Sequence, residues 1–181
     1  MSPHCTLFAR QSAVLHYRAR SYTTALEKIA RARELGPPSR VSVKDWEIEL
    51  RDLEFRIYLQ QHDSTRARAA AVALAELHGA TRIRVDAFIS MPADDAIGSF
   101  LSVSATVVQP MVARGAASAS RLALLNAMAG RTDQALDWLE RAAAERDADF
   151  LFTLRDPALD RLRHLPRFRS LLPRALAQPA P

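Results

Sequence analysis

The chain has a single cysteine, Cys5, among 181 residues. No internal disulfide can form, and no multi-cysteine metal site can be assembled. That usage suits a reducing compartment, so the cytoplasm is the expected location. Only five glycines and three tyrosines occur, while alanine and leucine abound; the mix favours helix over sheet. Lysine is nearly missing, with Lys28 and Lys44 alone. The net charge of +5 therefore rests on arginine. The arginines lie scattered between acids, as at Arg121, Arg131, Arg141 and Arg146, and only Arg155 to Arg174 is locally basic. This reads as a coding bias and weighs against nucleic-acid binding.

Longer patterns are missing too. No apolar run approaches a membrane span of about 20 residues. The N-terminus lacks a charged start followed by an uninterrupted apolar core. No membrane association is expected. Gly-rich phosphate loops, HExxH and GxSxG are absent. His4, His16, His62, His78 and His164 stand far apart, so His16 reads as packing rather than ligation. His4 beside Cys5 is the weak metal candidate. Asp94 and Asp95 read as helix-start acids rather than a catalytic pair, and Trp46 and Trp138 as core anchors. The expectation is a chain with no catalytic residues, no metal and no cofactor.

What is present is a series of helices separated by turn signals. Phe8 to Ala19 suits a helix, and Ser21 is placed to cap the next, from Tyr22 to about Glu34. Gly36-Pro37-Pro38-Ser39 stops it. Ser42 with Asp45 forms a capping arrangement for a helix with two apolar stripes. Trp46, Leu50, Leu53 and Ile57 make one stripe; Ile48, Phe55 and Leu59 make the other, as expected of a helix flanked on two sides. Asp63 or Ser64 caps an alanine-rich helix ending at Gly79. Pro92 interrupts the stretch from Ala80 to Ser118, whose apolar run Ile97 to Val112 reads as a buried helix or, second, a strand. Gly115 ends it. A last pair spans about Ala117 to Ala129 and Thr132 to Glu145, with Thr132 as the expected N-cap.

The turns repeat. The stretches around Ala13 and Ala25 and around Ala123 and Ala135 align, followed by Ile29 with Leu139 and Ala32 with Ala142. The middle turn offers Ala67, Ala71 and Leu74, of which Ala67 fits cleanly. Ala67 and Ala135 lie 135 − 67 = 68 residues apart, two periods of 34. On these residues the chain resembles the tetratricopeptide family. Ala25, Ile29, Ala32 and Pro37 match its second-helix pattern, and Ala135, Leu139 and Ala142 match it again, with Asp147 in place of the proline. The stretch Asp156-Pro157-Ala158-Leu159-Asp160-Arg161-Leu162-Arg163-His164-Leu165-Pro166-Arg167-Phe168 resembles the cap after the last repeat in many bacterial signalling proteins. Leu159, Leu162, Phe168, Leu171 and Leu172 are expected to cover the end of the last pair.

The resemblance implies an all-α, tetratricopeptide-like α-solenoid of three to four helix pairs with a short C-terminal capping helix. It implies one domain over 6–176, with pairs near 8–36, 42–79, 81–115 and 117–146, a cap over 156–176, and flexible termini at 1–5 and 177–181. It implies a non-catalytic scaffold that binds a partner protein or peptide, with a preference for acidic sequence, and that is open to homodimerisation. First helices then line a concave face, with Arg10, Val14, Tyr17 and Arg18 from the first pair. Asp52, Arg56, Leu59 and Gln60 come from the second, and Leu124 and Met128 from the last. Two other readings stay open at this level. One is a regulatory arm detached from a transcriptional regulator, nucleotide cyclase or Ser/Thr kinase. The other is nucleic-acid binding through arginine.

Overall fold

The computed structural model describes residues 3–172. Residues 173–176 of the expected cap and the expected tail 177–181 lie outside the described residues. The described chain is all-helical. In order it forms α1 (Pro3–Arg18), α2 (Tyr22–Leu35), α3 (Val43–Gln60), α4 (Ser64–Leu77), α5 (Arg82–Ser90) and α6 (Ala93–Ala113). Then come α7 (Ala119–Met128), α8 (Thr132–Ala144), α9 (Phe150–Thr153), a 3-10 turn (Pro157–Leu162) and α10 (Pro166–Arg169). The first helix begins at Pro3, earlier than Phe8; proline suits a first helical turn because its missing N–H has no partner there anyway. The chain divides into two compact units, Met1–Ile97 and Gly98–Pro181.

In sequence-adjacent pairs, α1 packs on α2, α3 on α4 and α7 on α8. All three pairs are joined by the same turn. A residue with positive φ sits two positions before the second helix: Arg20 at 60°, His62 at 56° and Gly130 at 72°. In each, the next residue donates its N–H to a carbonyl five back: Ser21 to His16 at 2.9 Å, Asp63 to Tyr58 at 3.0 Å, Arg131 to Asn126 at 2.9 Å. This is the Schellman closure of a helix C-terminus. Five residues beyond each left-handed position comes Ala25, Ala67 or Ala135, each with no exposed surface. Alanine there lets the two helix backbones approach closely.

The turn geometry explains two failed caps. At Ser21 ψ is 66°, and its side chain makes no cap bond. Asp63 has a similar ψ of 79°, yet its longer carboxylate reaches the Arg66 N–H. Thr132, the other expected cap, is the first residue of α8; Arg131 occupies the cap position without a side-chain bond. Ser42 and Ser118 have extended backbones, and both hydroxyls accept a third-residue N–H, from Asp45 and Arg121.

The stretch from Ala80 to Ser118 resolves into α5 and α6, joined differently. Met91 is extended, with ψ of 153°, because the following Pro92 disfavours helical backbone before it. Leu101 lies 34 residues beyond Ala67 and 34 before Ala135, and it is buried. Ile97 to Val112 is helical, and it is buried on one side only: Leu101, Ala105, Val108 and Val112 are inside, while Val103 and Val107 are exposed. The expectation that nothing approaches a membrane span needs correcting here. By length and composition α6 is long and apolar enough to cross one, although a third of that window is buried within the protein. Beyond Asp94 and Asp95 its alanines and serines leave it without charge and without a conspicuous apolar run.

In the first unit, Ala9, Ala13 and Tyr17 of α1, Ala25, Ile29 and Ala32 of α2, and Trp46, Leu50, Leu53 and Ile57 of α3 form one core. The second stripe of α3 contributes Phe55 fully and Ile48 and Leu59 in part. In the second unit, Ala105, Val108 and Val112 of α6 pack with Leu122, Ala123, Ala135, Leu136 and Leu139 of α7 and α8. Phe150, Leu154, Leu159, Leu162, Phe168 and Leu171 close that core. Leu172 does not join them; it is exposed. Arg167 ties the cap to α8 through Asp137 at 2.7 Å and Glu140 at 3.0 Å. Asp147, which stands where the repeat pattern has proline, accepts the Ser120 N–H at 3.0 Å and the Asp149 N–H at 2.9 Å. It thereby satisfies a free donor in the first turn of α7.

Candidate partner-binding face

Helix α3 has its apolar stripe bordered by two charged edges, which follows from its spacing. Glu47, Arg51 and Glu54 form the edge toward α2. Arg33 of α2 donates to Glu47 and Glu54, both at 3.0 Å. Arg51 closes the ring, to Glu47 at 2.8 Å and Glu54 at 3.0 Å. Burial works against the charge of Arg33, and its hydrogen bonds to the two glutamates outweigh that, so its pKa is held above the ordinary arginine value.

The other edge, Glu49, Asp52 and Arg56, borders α1. Arg10 Nε of α1 lies 2.8 Å from Glu49 Oε2. Arg56 Nη2 lies 2.9 Å from Asp52 Oδ2, and its guanidinium carbon sits 5.4 Å from the Tyr17 ring centroid. Cation and ring attract at this distance. The Tyr17 and Tyr22 rings are 6.2 Å apart. The sequence-predicted residues Arg10, Val14, Tyr17, Arg18, Asp52 and Arg56 are thus on neighbouring helices of one unit, with Leu59 and Gln60 completing α3.

Tyr17 is not a surface contact, however. It is buried, because its ring fills the space between α1 and α3 under Arg56. Val14, Arg18, Leu59 and Gln60 are half-buried. Leu124 and Met128 are half-buried on α7, in the second unit, with Leu124 against that unit's core. Glu49 was missed by sequence reasoning. Its signal was the three- and four-residue spacing Glu49, Asp52, Arg56, which marks one helix edge.

The arrangement offers guanidinium groups held in fixed positions by carboxylates at a helix–helix seam. A carboxylate from outside can exchange with Glu49 or Asp52 for the same donors. At least ten arginines lie within 3.3 Å of an acid, from Arg10 to Arg167. Among the described residues, no three His, Cys, Asp or Glu side chains are grouped to hold a metal ion. No family model, no curated protein and no solved structure matches this chain.

Proposed function

We propose that the chain is a tetratricopeptide-like helical-repeat module that binds a partner protein through the α1/α3 face and performs no chemistry of its own. One observation carries the reading. Three helix pairs share one turn geometry and one register of fully buried alanines, as stacked repeats require. A repeat face of this kind receives an extended segment lying across first helices. Arg10, Arg18 and Arg56 against Glu49 and Asp52 leave a slight cationic excess there, which favours a segment carrying carboxylates. The intramolecular pairing of so many arginines weighs against the nucleic-acid reading, since those charges are already neutralised.

The test is capture from host lysate treated with nuclease, using the tagged chain and a Val14→Glu/Gln60→Glu variant. A stoichiometric partner should bind the native chain and an Asp133→Lys control on α8, and should be lost from the double variant. Capture that vanishes with nuclease, or that ignores the double variant while its helical circular dichroism is intact, would refute the proposal.

A further inference from the structure

Helix α6 carries no charged residue from Ala96 to Ala113. At 100° per residue, Asp95, Val103, Thr106, Val107, Pro110 and Arg114 fall within one arc of about 120°. All six are exposed, Val103 by 46% and Val107 by 58%. Exposed valines lower helix propensity and bring no compensating burial in the isolated chain. The acid opens this face and the base closes it. Among the described residues neither Asp95 nor Arg114 has an ion-pair partner within the chain.

We infer that this face docks a second copy of the chain, α6 against α6, in antiparallel orientation. The charge pattern selects both occupant and direction. Asp95 and Arg114 are nineteen residues apart, about 28 Å along a helix. An antiparallel copy, related by a two-fold axis near Ser104, brings each Asp95 to the other chain's Arg114. Val103 then meets Thr106, and Pro110 meets the small Ser99, with no long side chain to hold the helices apart. A parallel copy sets acid against acid. A bilayer surface fits less well, because a helix lying in it is flanked by basic residues along its polar edge, and α6 has none between Asp95 and Arg114. This inference is independent of the α1/α3 face.

Sedimentation equilibrium of the full chain, from about 1 to 100 μM, tests it. The native chain should reach twice its 20.1 kDa mass. Val107→Lys should remain monomeric throughout. Arg114→Asp should weaken association at least tenfold, and the swapped Asp95→Arg/Arg114→Asp chain should recover it. If Val107→Lys loses its helical signal, the charge swap alone decides. A native chain that stays monomeric overturns the inference, as does a dimer insensitive to these changes or a swap without recovery. Loss of vesicle co-sedimentation in Val107→Lys from a monomeric native chain would overturn it in favour of a lipid surface.

Discussion

Replacing Ala135 by leucine probes the shared register most directly. Ala135 has no exposed surface and sits within the second unit's core. It lies five residues beyond the left-handed Gly130, where α8 begins its contact with α7. Leucine adds three carbon atoms to a contact already filled by Leu122, Ala123 and Leu139. Overpacking of this kind costs about 1–3 kcal/mol. For a chain of this size that lowers the melting temperature by about 2–12 °C. The control is Ala144→Leu, at an exposed position of the same helix, expected to change stability by no more than about 0.5 kcal/mol. Thermal melts of both variants, followed at 222 nm, decide it. If Ala135→Leu melts with the native chain, Ala135 is not at a close helix contact, and the alignment of the three turns fails with it.

The cap gives a second prediction: Phe168→Ala leaves a cavity at a buried ring and should cost about 3–5 kcal/mol in urea denaturation. At the turns, Gly130→Ala meets open space around its new methyl, so only the positive φ penalises it, by about 1 kcal/mol. The converse change, His62→Gly at φ of 56°, should stabilise by about 0.5 kcal/mol, the left-handed relief less the added freedom of the unfolded chain. The Tyr58 hydroxyl is pushed up, first by burial and then by Glu54, against the opposing pull of Arg66 and Arg51. The folded state therefore holds this proton more tightly than the unfolded state. Its stabilising contribution is complete below the ordinary tyrosine pKa of 10 and is lost as pH rises through the folded value. Absorbance titration at 295 nm should show a late-ionising phase that Tyr58→Phe removes.

The helices were legible wherever apolar spacing and a stop signal agreed. The two stripes of α3 placed it between neighbours, and the core residues Trp46, Leu50, Leu53 and Ile57 are all buried. Cap chemistry was legible at Ser42 and Asp63 and misleading at Ser21, which makes no cap bond, and at Thr132, which is the first residue of α8 with Arg131 in the cap position. The α5–α6 region was opaque for a different reason. Alternating valine and serine carry no clear period, and the helix is settled by burial of Leu101, Ala105, Val108 and Val112 against other elements. On the candidate face, the residue types were legible and the depth was not: Tyr17 reads as a surface aromatic until Arg56 is placed over its ring.

The resemblance rested on residue identities, and the structure locates the regularity elsewhere. The left-handed position of the three shared turns is arginine in the first, histidine in the second and glycine in the third. A non-glycine residue there costs only about 1–2 kcal/mol, which a fully buried alanine contact downstream offsets. Side-chain identity at the turn is therefore free to drift while the backbone geometry persists. The same logic covers Asp147. A proline after α8 would remove a donor, whereas the Asp147 N–H donates to the Ala142 carbonyl at 3.0 Å just past the left-handed Arg146, and its carboxylate accepts two N–H groups, one from α7 and one from its own turn. The α5–α6 turn shows the complementary case. It carries no left-handed residue; an extended Met91 precedes Pro92 instead. Pattern matching on residue identity blurs the three shared turns, while the buried alanines and the five-residue offset from a positive φ mark them.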